Sequence, residues 1–152
     1  MSQSDNFWKV PSWEVPVDKS DKVEIFYLPN RAIISEAGWP ESFWAQTEKR
    51  ISLTEKVAQQ VINLFSNLEA GRSARCHETP WGIAFAKDHK LICTVTLCFE
   101  CSNAYVYTEE KRKLRAFNTS HTNSKLLLAL LEEQLPLKEI PMQNGTNKSG
   151  YF

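Results

Sequence analysis

The segment from Gly82 to Phe117 constrains the fold of this chain more than any other. It contains four short apolar runs separated by polar turns. In the longest run, one face carries Leu91, Cys93, Val95, Leu97 and Phe99, and the other carries Thr94, Thr96 and Glu100. Because strand side chains alternate between two faces, this run predicts a strand with one buried face. Successive strands joined by short turns pair in antiparallel fashion, so the whole segment predicts a β-meander.

The remaining strand signals extend this sheet. The meander strands are expected at residues 83–86, 91–100, 104–107 and 114–117, with turns at 87–90 and at the charged stretch 108–113. A further strand is expected at Val23–Leu28, which is rich in β-branched and aromatic residues and is followed by Pro29 and Asn30. Residues 32–34 are a candidate for a short additional strand.

Two main amphipathic helices are predicted to pack on one face of this sheet. The first follows Ser52, whose spacing from Glu55 matches a capping box, and it ends at Gly71. Its apolar positions recur at helical spacing and comprise Leu53, Val57, Val61, Leu64, Phe65 and Leu68. The last helix begins near Asn123 or Ser124 and stops at Pro136. Its core-facing residues are expected to be Leu127, Leu130 and Leu131.

A shorter helix is expected within residues 41–50, after a turn at Gly38–Pro40, with Phe43 and Trp44 facing inward. Taken with the strands, the helices predict an α+β fold. In this fold an antiparallel meander carries two main amphipathic helices on one face.

The chain is expected to form a single domain over residues 1–152, because no repeat or linker divides it. Residues 1–20 are expected to form an extended arm, since its prolines remove backbone donors around Trp8 and Trp13. The last segment, 137–152, has almost no periodic apolar content and is expected to be a loose tail.

Charge and hydropathy exclude several functional classes. The chain has 18 basic and 18 acidic residues and no formal net charge, which argues against a dedicated nucleic-acid binder. This holds although five aromatic residues could stack bases on an open sheet face: Trp39, Trp44, Trp81, Tyr105 and Tyr107. No apolar run reaches the ~18–20 residues that span a bilayer, and the N-terminus lacks the order of a signal peptide. We therefore expect a cytoplasmic protein with its 4 cysteines as thiols or metal ligands rather than disulfides.

The cysteines give the only concentrated chemical signal. A C-x-x-C pair can place two thiolates on a zinc ion, which makes Cys76, His77, Cys98 and Cys101 the candidate ligands of one interpretation. The favoured interpretation has the thiols packed at one end of the sheet with no cofactor, because adjacent residues in an extended segment point to opposite sides. Cys93 is expected to face the core as a small hydrophobe. A thioredoxin-type redox role is disfavoured, because the pair follows a strand rather than opening a helix.

Residues 75–131 also carry a resemblance. They contain Arg75-Cys76-His77, a proline before Trp81-Gly82-Ile83, the run Cys98-Phe99-Glu100-Cys101-Ser102-Asn103, Phe117-Asn118 and a leucine-rich helix. In these residues the chain resembles uncharacterised small bacterial proteins with a Cys-His-x-Pro…Cys-Phe-x-Cys-x-Asn signature. The resemblance implies a shared fold and a local structural role for Cys76, Cys98 and Cys101 together, and it implies no activity.

The sequence contains none of the motifs of phosphate-binding loops, zinc proteases or serine hydrolases, so we expect a non-enzymatic, protein-binding domain. Small bacterial immunity proteins, which bind and block a toxin, are the expected instance of this class. The candidate contact residues are aromatic or charged positions that the predicted core leaves aside: Trp8, Trp13, Trp39, Glu109, Glu110 and Arg112. The alternative function is a thiol- or zinc-dependent module built on Cys76, Cys98 and Cys101.

Overall fold

The computed structural model describes residues 15–28, 34, 36–73, 81–110 and 112–136. Within these residues, six antiparallel strands form one sheet in the order β2-β1-β3-β4-β5-β6. The strands are β1 (Lys22–Tyr27), β2 (Lys49–Ser52), β3 (Trp81–Lys87), β4 (Lys90–Cys98), β5 (Asn103–Tyr107) and β6 (Arg112–Ala116). The α-helices are α1 (Glu41–Gln46), α2 (Glu55–Ser66) and α3 (Thr122–Gln134). The predicted α+β fold is confirmed.

The main core lies between the sheet and helices α2 and α3, on what we call the helix face. Its fully buried side chains from sheet and helices include Ile25, Ile83, Val95, Leu97, Val61, Phe65, Leu127 and Leu131. The Phe65 ring on α2 packs on Phe85 of β3, with 5.3 Å between ring centroids. Burial of each such side chain stabilises the fold by about 1.5–3 kcal/mol. The prediction of two main helices on one face is confirmed.

The opposite side of the sheet, which we call the second face, carries a smaller apolar cluster. Its buried members are Phe26, Leu28, Ile34, Phe43, Ala84 and Tyr107. Helix α1 lies over this face so closely that a Cβ added at Gly82 would come within 3.0 Å of Leu28 and Phe43. Phe43 is buried and Trp44 half-buried, so both face inward as predicted.

The short helix is followed by a strand that the sequence analysis did not predict. Residues 49–52, assigned there to the end of the helix and to a cap, pair with β1 as edge strand β2. Arg50 contacts the buried carboxylate of Glu24, with 3.1 Å between Nε and Oε2. The Ser52 hydroxyl lies 2.9 Å from the same Glu24 oxygen. These polar contacts hold residues 49–52 in the sheet.

Helix α2 therefore begins later and ends earlier than its pattern predicts. Thr54, not Ser52, is the N-cap, and its hydroxyl accepts the Val57 N–H at 3.4 Å. The helix ends at Ser66 rather than at Gly71. Gly71 is instead required by a close approach, because a Cβ there would overlap the backbone of Phe117 and Asn118.

A β-bulge changes the predicted alternation at the start of β4. Register shifts between Phe85 and Ala86, so that Phe85 pairs with Cys93 and Ala86 with Leu91. The extra residue turns Leu91 to the second-face cluster, whereas Ile92 packs against the main core. The expectation that Leu91 shares the face of Cys93 and Val95 was wrong for this reason.

Candidate functional site

The second face carries a group of aromatic and charged side chains where β5 pairs with β6. The register places Tyr105 opposite Leu114 and Tyr107 opposite Arg112, so these four side chains share one face. The Arg112 guanidinium carbon lies 4.6 Å from the Tyr105 ring centroid, within cation–π range. We call Trp39, Thr94, Tyr105, Arg112 and Leu114 the β5–β6 patch.

The turn at Glu36–Pro40 holds this patch in place. The Trp39 indole Nε1–H donates to the Thr94 hydroxyl of β4 at 2.9 Å. The Glu36 carboxylate accepts the Arg112 backbone N–H of β6 at 2.8 Å. Trp39 N–H in turn donates to the Glu36 carbonyl at 3.3 Å. The turn thus connects β4 with the edge strand β6 and fixes both ends of the patch.

Tyr107 supports the patch from below and is buried. Burial raises the pKa of the Tyr107 hydroxyl above its ordinary value of 10.0, and the Arg112 charge and hydrogen bonds with Arg112 and Thr96 offset part of that rise. Tyr107 is therefore a neutral phenol at physiological pH, and Arg112 contacts both tyrosines of β5.

Leu114 gives the patch an exposed apolar centre. It is 43% exposed, and Leu126 on α3, at 50%, is the other large hydrophobic side chain exposed to this degree in the described ranges. The polar backbone of β6 is less available: Glu36 covers the Arg112 N–H, and the Arg115 guanidinium donates to the Leu114 carbonyl at 3.0 Å. These two contacts cover part of the outer edge of β6.

The structure brings two of the predicted contact residues together in this patch. Trp39 is half-buried rather than left outside the core, and Arg112 is exposed. Glu109 and Glu110 are exposed in the β5–β6 connection next to the patch. Trp8 and Trp13 lie outside the described residues.

The patch also contains residues that the contact prediction missed. Strand parity would have placed Tyr105 and Leu114 on one surface if the β5–β6 register had been known. Trp81, which the sequence analysis grouped with Tyr105 as a candidate base-stacking residue, is 1% exposed and packs in the main core on the opposite side of the sheet.

The cysteines correct one expectation and confirm another. Cys101 is disulfide-bonded, so the expectation that the cysteines are thiols or metal ligands rather than disulfides was wrong for this residue. Cys93 is fully buried in the main core as predicted, and burial strongly raises the pKa of its thiol. Cys98, the last residue of β4, and Cys101, in the turn that follows, are each 1% exposed, and Cys76 and His77 lie outside the described residues.

The disulfide at Cys101 removes one candidate ligand from the zinc interpretation. A sulfur in a disulfide is not a thiolate, so Cys101 does not fit the set of Cys76, His77, Cys98 and Cys101 in the disulfide-bonded state. Among the described residues, no group of three or more His, Cys, Asp or Glu side chains is placed to hold a metal ion.

Comparison with known proteins assigns this chain to no family. Two residues, Glu78 and Thr79, separate His77 from Pro80, whereas the Cys-His-x-Pro element of the signature has one. No helix in the described part of the chain is long and apolar enough to cross a membrane. No protein-family model, no curated protein and no solved structure matches this chain.

Proposed function

We propose that this chain is a non-enzymatic protein-binding domain of the immunity type, which binds and blocks a toxin in the bacterial cytoplasm. The observation that carries the proposal is the β5–β6 patch, in which Arg112 stacks on Tyr105 beside the exposed Leu114. Tryptophan, tyrosine and arginine dominate the energetics of protein–protein contacts, and this patch presents all three around an apolar centre.

The patch is ordered before any partner arrives. Trp39 and Thr94 are hydrogen-bonded to each other, and Arg112 is held at its backbone by Glu36 and at its side chain by the tyrosines. Immobilising a flexible side chain on binding costs about 0.5–1.5 kcal/mol, and a preordered patch avoids much of that cost. This rigidity supports the proposed inhibitor function, because an inhibitor must bind its target with high affinity.

The charges around the patch indicate what its partner presents. On the second face strand β6 contributes one cationic side chain, Arg112, and Glu109 and Glu110 precede it; Lys113 and Arg115 stand opposite Val106 and Ala104 and lie on the helix face. A partner with an acidic group facing Arg112 and a cation facing the glutamates would be oriented correctly by this arrangement. Such complementarity acts mainly on specificity and on the association rate.

The cytoplasmic location is part of the proposal. Reducing agents in the cytosol keep most cysteines as thiols, and the disulfides that do form there are usually transient. The disulfide at Cys101 is therefore expected to be a reversible bond rather than a permanent one.

Affinity capture from cells of the natural host tests the proposal. The chain is used in three forms: wild type, Leu114→Asp and the control Leu126→Asp, which changes a leucine of similar exposure on the other side of the molecule. Wild type and the control should capture the same protein, and Leu114→Asp should capture at least about tenfold less, because a charge in a contact centre costs more than 1.4 kcal/mol.

The captured protein must then prove toxic when produced alone in cells and harmless when produced together with this chain. Equal capture by all three forms would contradict the patch as the contact surface. A captured protein that is harmless alone, or toxic even with the wild-type chain present, would contradict the inhibitor function.

A further inference from the structure

Strand β2 forms an edge of the sheet, and one row of its backbone groups points away from β1. The Leu53 N–H donates to the Val23 carbonyl at 3.0 Å, in register with the β1–β2 pairing. Residues that bond to a neighbouring strand alternate along an antiparallel pair, so Arg50 and Ser52 direct their N–H and C=O groups outward. Within the described ranges no strand lies beyond β2 and no side chain bonds to these groups, so this edge is open.

The Arg50 side chain lies at this edge with one side held and the other open. Its Nε and Nη2 atoms lie 3.1 and 3.3 Å from the two carboxylate oxygens of Glu24. Its guanidinium carbon lies 5.8 Å from the Phe26 ring centroid and 5.9 Å from the Trp44 ring centroid, within cation–π range. The side chain is still 60% exposed, and Nη1 has no hydrogen-bond partner among the described residues. Arg50 is therefore fixed in position and able to receive a second carboxylate.

The charges of β2 indicate which kind of strand can pair with it. Lys49 and Arg50 lie on opposite faces of the strand, and its four residues include no acidic side chain. Glu24 compensates the charge of Arg50, whereas Lys49 is exposed and has no ion pair among the residues that the structure describes. A cationic edge disfavours pairing with a neutral or basic strand, including β2 of a second copy. An acidic strand is the complementary partner.

We propose that β2 is a docking edge for an extended acidic segment of a partner protein. The segment adds to the sheet antiparallel to β2, and its backbone bonds to the outward groups of Arg50 and Ser52. Two consecutive acidic residues lie opposite Arg50 and Lys49, one on each face of the sheet. The preceding residue lies opposite the half-buried Ile51 and is β-branched, and the following one is uncharged because it meets Glu48.

This docking edge is separate from the β5–β6 patch. Strands β2 and β6 are the two outermost strands of the sheet, with four strands between them. At about 4.8 Å between neighbouring strands, the two edges are about 24 Å apart. The docking edge is therefore a second binding site, and its test does not depend on the proposed immunity function.

Amide hydrogen exchange resolved by NMR tests the docking edge with a defined peptide. The peptide contains threonine, valine, two glutamates and threonine in that order and is blocked at both ends; a control peptide has lysines in place of the glutamates. In the chain alone, the outward N–H groups of Arg50 and Ser52 should exchange quickly, whereas the Ile51 N–H, which points to β1, should exchange slowly. With the acidic peptide at about ten times its dissociation constant, exchange at Arg50 and Ser52 should slow by about tenfold. The control peptide should leave the exchange unchanged.

Two substitutions separate the backbone contact from the side-chain contact. Ser52→Pro removes the outward N–H, which an edge strand tolerates, whereas the matched control Ser52→Ala removes the same hydroxyl and keeps that N–H. Ser52→Pro should weaken peptide binding by about tenfold relative to Ser52→Ala. Arg50→Lys keeps a cation beside Glu24 but loses the second donor edge of the guanidinium, and it should weaken peptide binding by about tenfold relative to wild type.

Unchanged exchange at Arg50 and Ser52 in the presence of the acidic peptide would overturn the proposal, as would equal slowing by the lysine peptide. Slowing that rises with protein concentration in the absence of peptide would also overturn it, because a second copy would then occupy the edge. If Ser52→Pro fails to fold by circular dichroism, the comparison of the two peptides on the wild-type chain decides the question. Peptide binding that is unchanged in a folded Ser52→Pro chain, or in Arg50→Lys, would contradict the docking geometry.

Discussion

Arg112 is the residue on which the candidate site depends. Its guanidinium stacks on Tyr105 and interacts with Tyr107, while its backbone N–H is bound by Glu36. The side chain nevertheless remains exposed. An arginine that is held on one side and open on the other is suited to receive a carboxylate from a partner.

Ionisation of Tyr107 makes the folded state less stable at alkaline pH. Burial is the largest influence on its pKa and raises it above the ordinary value of 10.0. The folded state therefore holds the phenolic proton more tightly than the unfolded state. This contribution to stability is present below pH 10 and is lost as the pH rises from there through the folded-state pKa. Chemical denaturation at a series of alkaline pH values should show the free energy of unfolding falling over that range.

Tyr107→Phe should flatten this fall, whereas the control Tyr105→Phe, which changes the half-buried tyrosine on the same strand, should leave it in place. An unchanged alkaline fall in Tyr107→Phe would show that another group causes it. Arg112→Ala should raise the Tyr107 pKa further, because the cation and its hydrogen bond now lower it. Spectrophotometric titration of tyrosine ionisation measures this shift.

Single residues also show which structural features local sequence can predict and which it cannot. Alternation along β4 correctly assigned Cys93 to the core, because a strand pattern needs only local sequence. It could not place Leu91, since the bulge that turns it arises from pairing with β3. The disulfide state of Cys101 was missed because cysteine pairing is a tertiary contact that local sequence patterns do not encode.

At the scale of elements, the N-cap residue of α2 decides how the chain leaves edge strand β2. Thr54 caps α2, and the neighbouring Ser52 side chain is already used by Glu24. A capping hydroxyl satisfies a backbone N–H that the helix leaves without an internal partner. The structure therefore assigns the two hydroxyls to different elements.

Thr54→Ala should lower the free energy of unfolding by about 0.5–2 kcal/mol, as expected for loss of an N-cap hydroxyl. Thr54→Ser, which keeps the hydroxyl, should stay within about 0.5 kcal/mol of wild type. Urea denaturation followed by circular dichroism measures both. Equal losses in the two variants would mean that the threonine methyl group, not the cap, carries the effect.

Most helices and strands could be predicted from the sequence, whereas strand β2 could not. The strands of the meander and helices α2 and α3 follow from hydrophobic periodicity, which acts over ten or so residues. Strand β2 has only four residues, Lys49–Ser52, and its pattern is exposed or half-buried throughout. Such a strand is defined by its partner β1 and by Glu24, which lies 26 residues before Arg50. No local pattern could have revealed it.

At the scale of the whole molecule, the two faces of the sheet carry different structural features. The helix face holds the larger core, and the second face combines a smaller core with the β5–β6 patch. The patch could be predicted only in part, because Trp39 and Arg112 are 73 positions apart in sequence number and meet through the Glu36 turn. Their residue types identified Trp39 and Arg112 as candidates, but only the fold shows that they lie in one patch.

The helix-face core makes a prediction that separates two leucines of α3. Leu127 is fully buried and Leu130 only half-buried, although both were expected in the core. Leu127→Ala should lower the free energy of unfolding by about 2–5 kcal/mol, because it leaves a cavity in a packed interior. Leu130→Ala should cost clearly less, and urea denaturation compares them. A larger loss for Leu130→Ala would contradict the packing of α3.

Site-specific photo-crosslinking in living host cells tests the central claim, that the β5–β6 patch is where a partner protein binds. A photoreactive amino acid is placed at Leu114 in one form of the chain and at Leu126 in another, since both leucines are exposed. The account predicts one dominant protein adduct from position 114 and none of that size from position 126. The same adduct from both positions, or an adduct from position 126 alone, would contradict it.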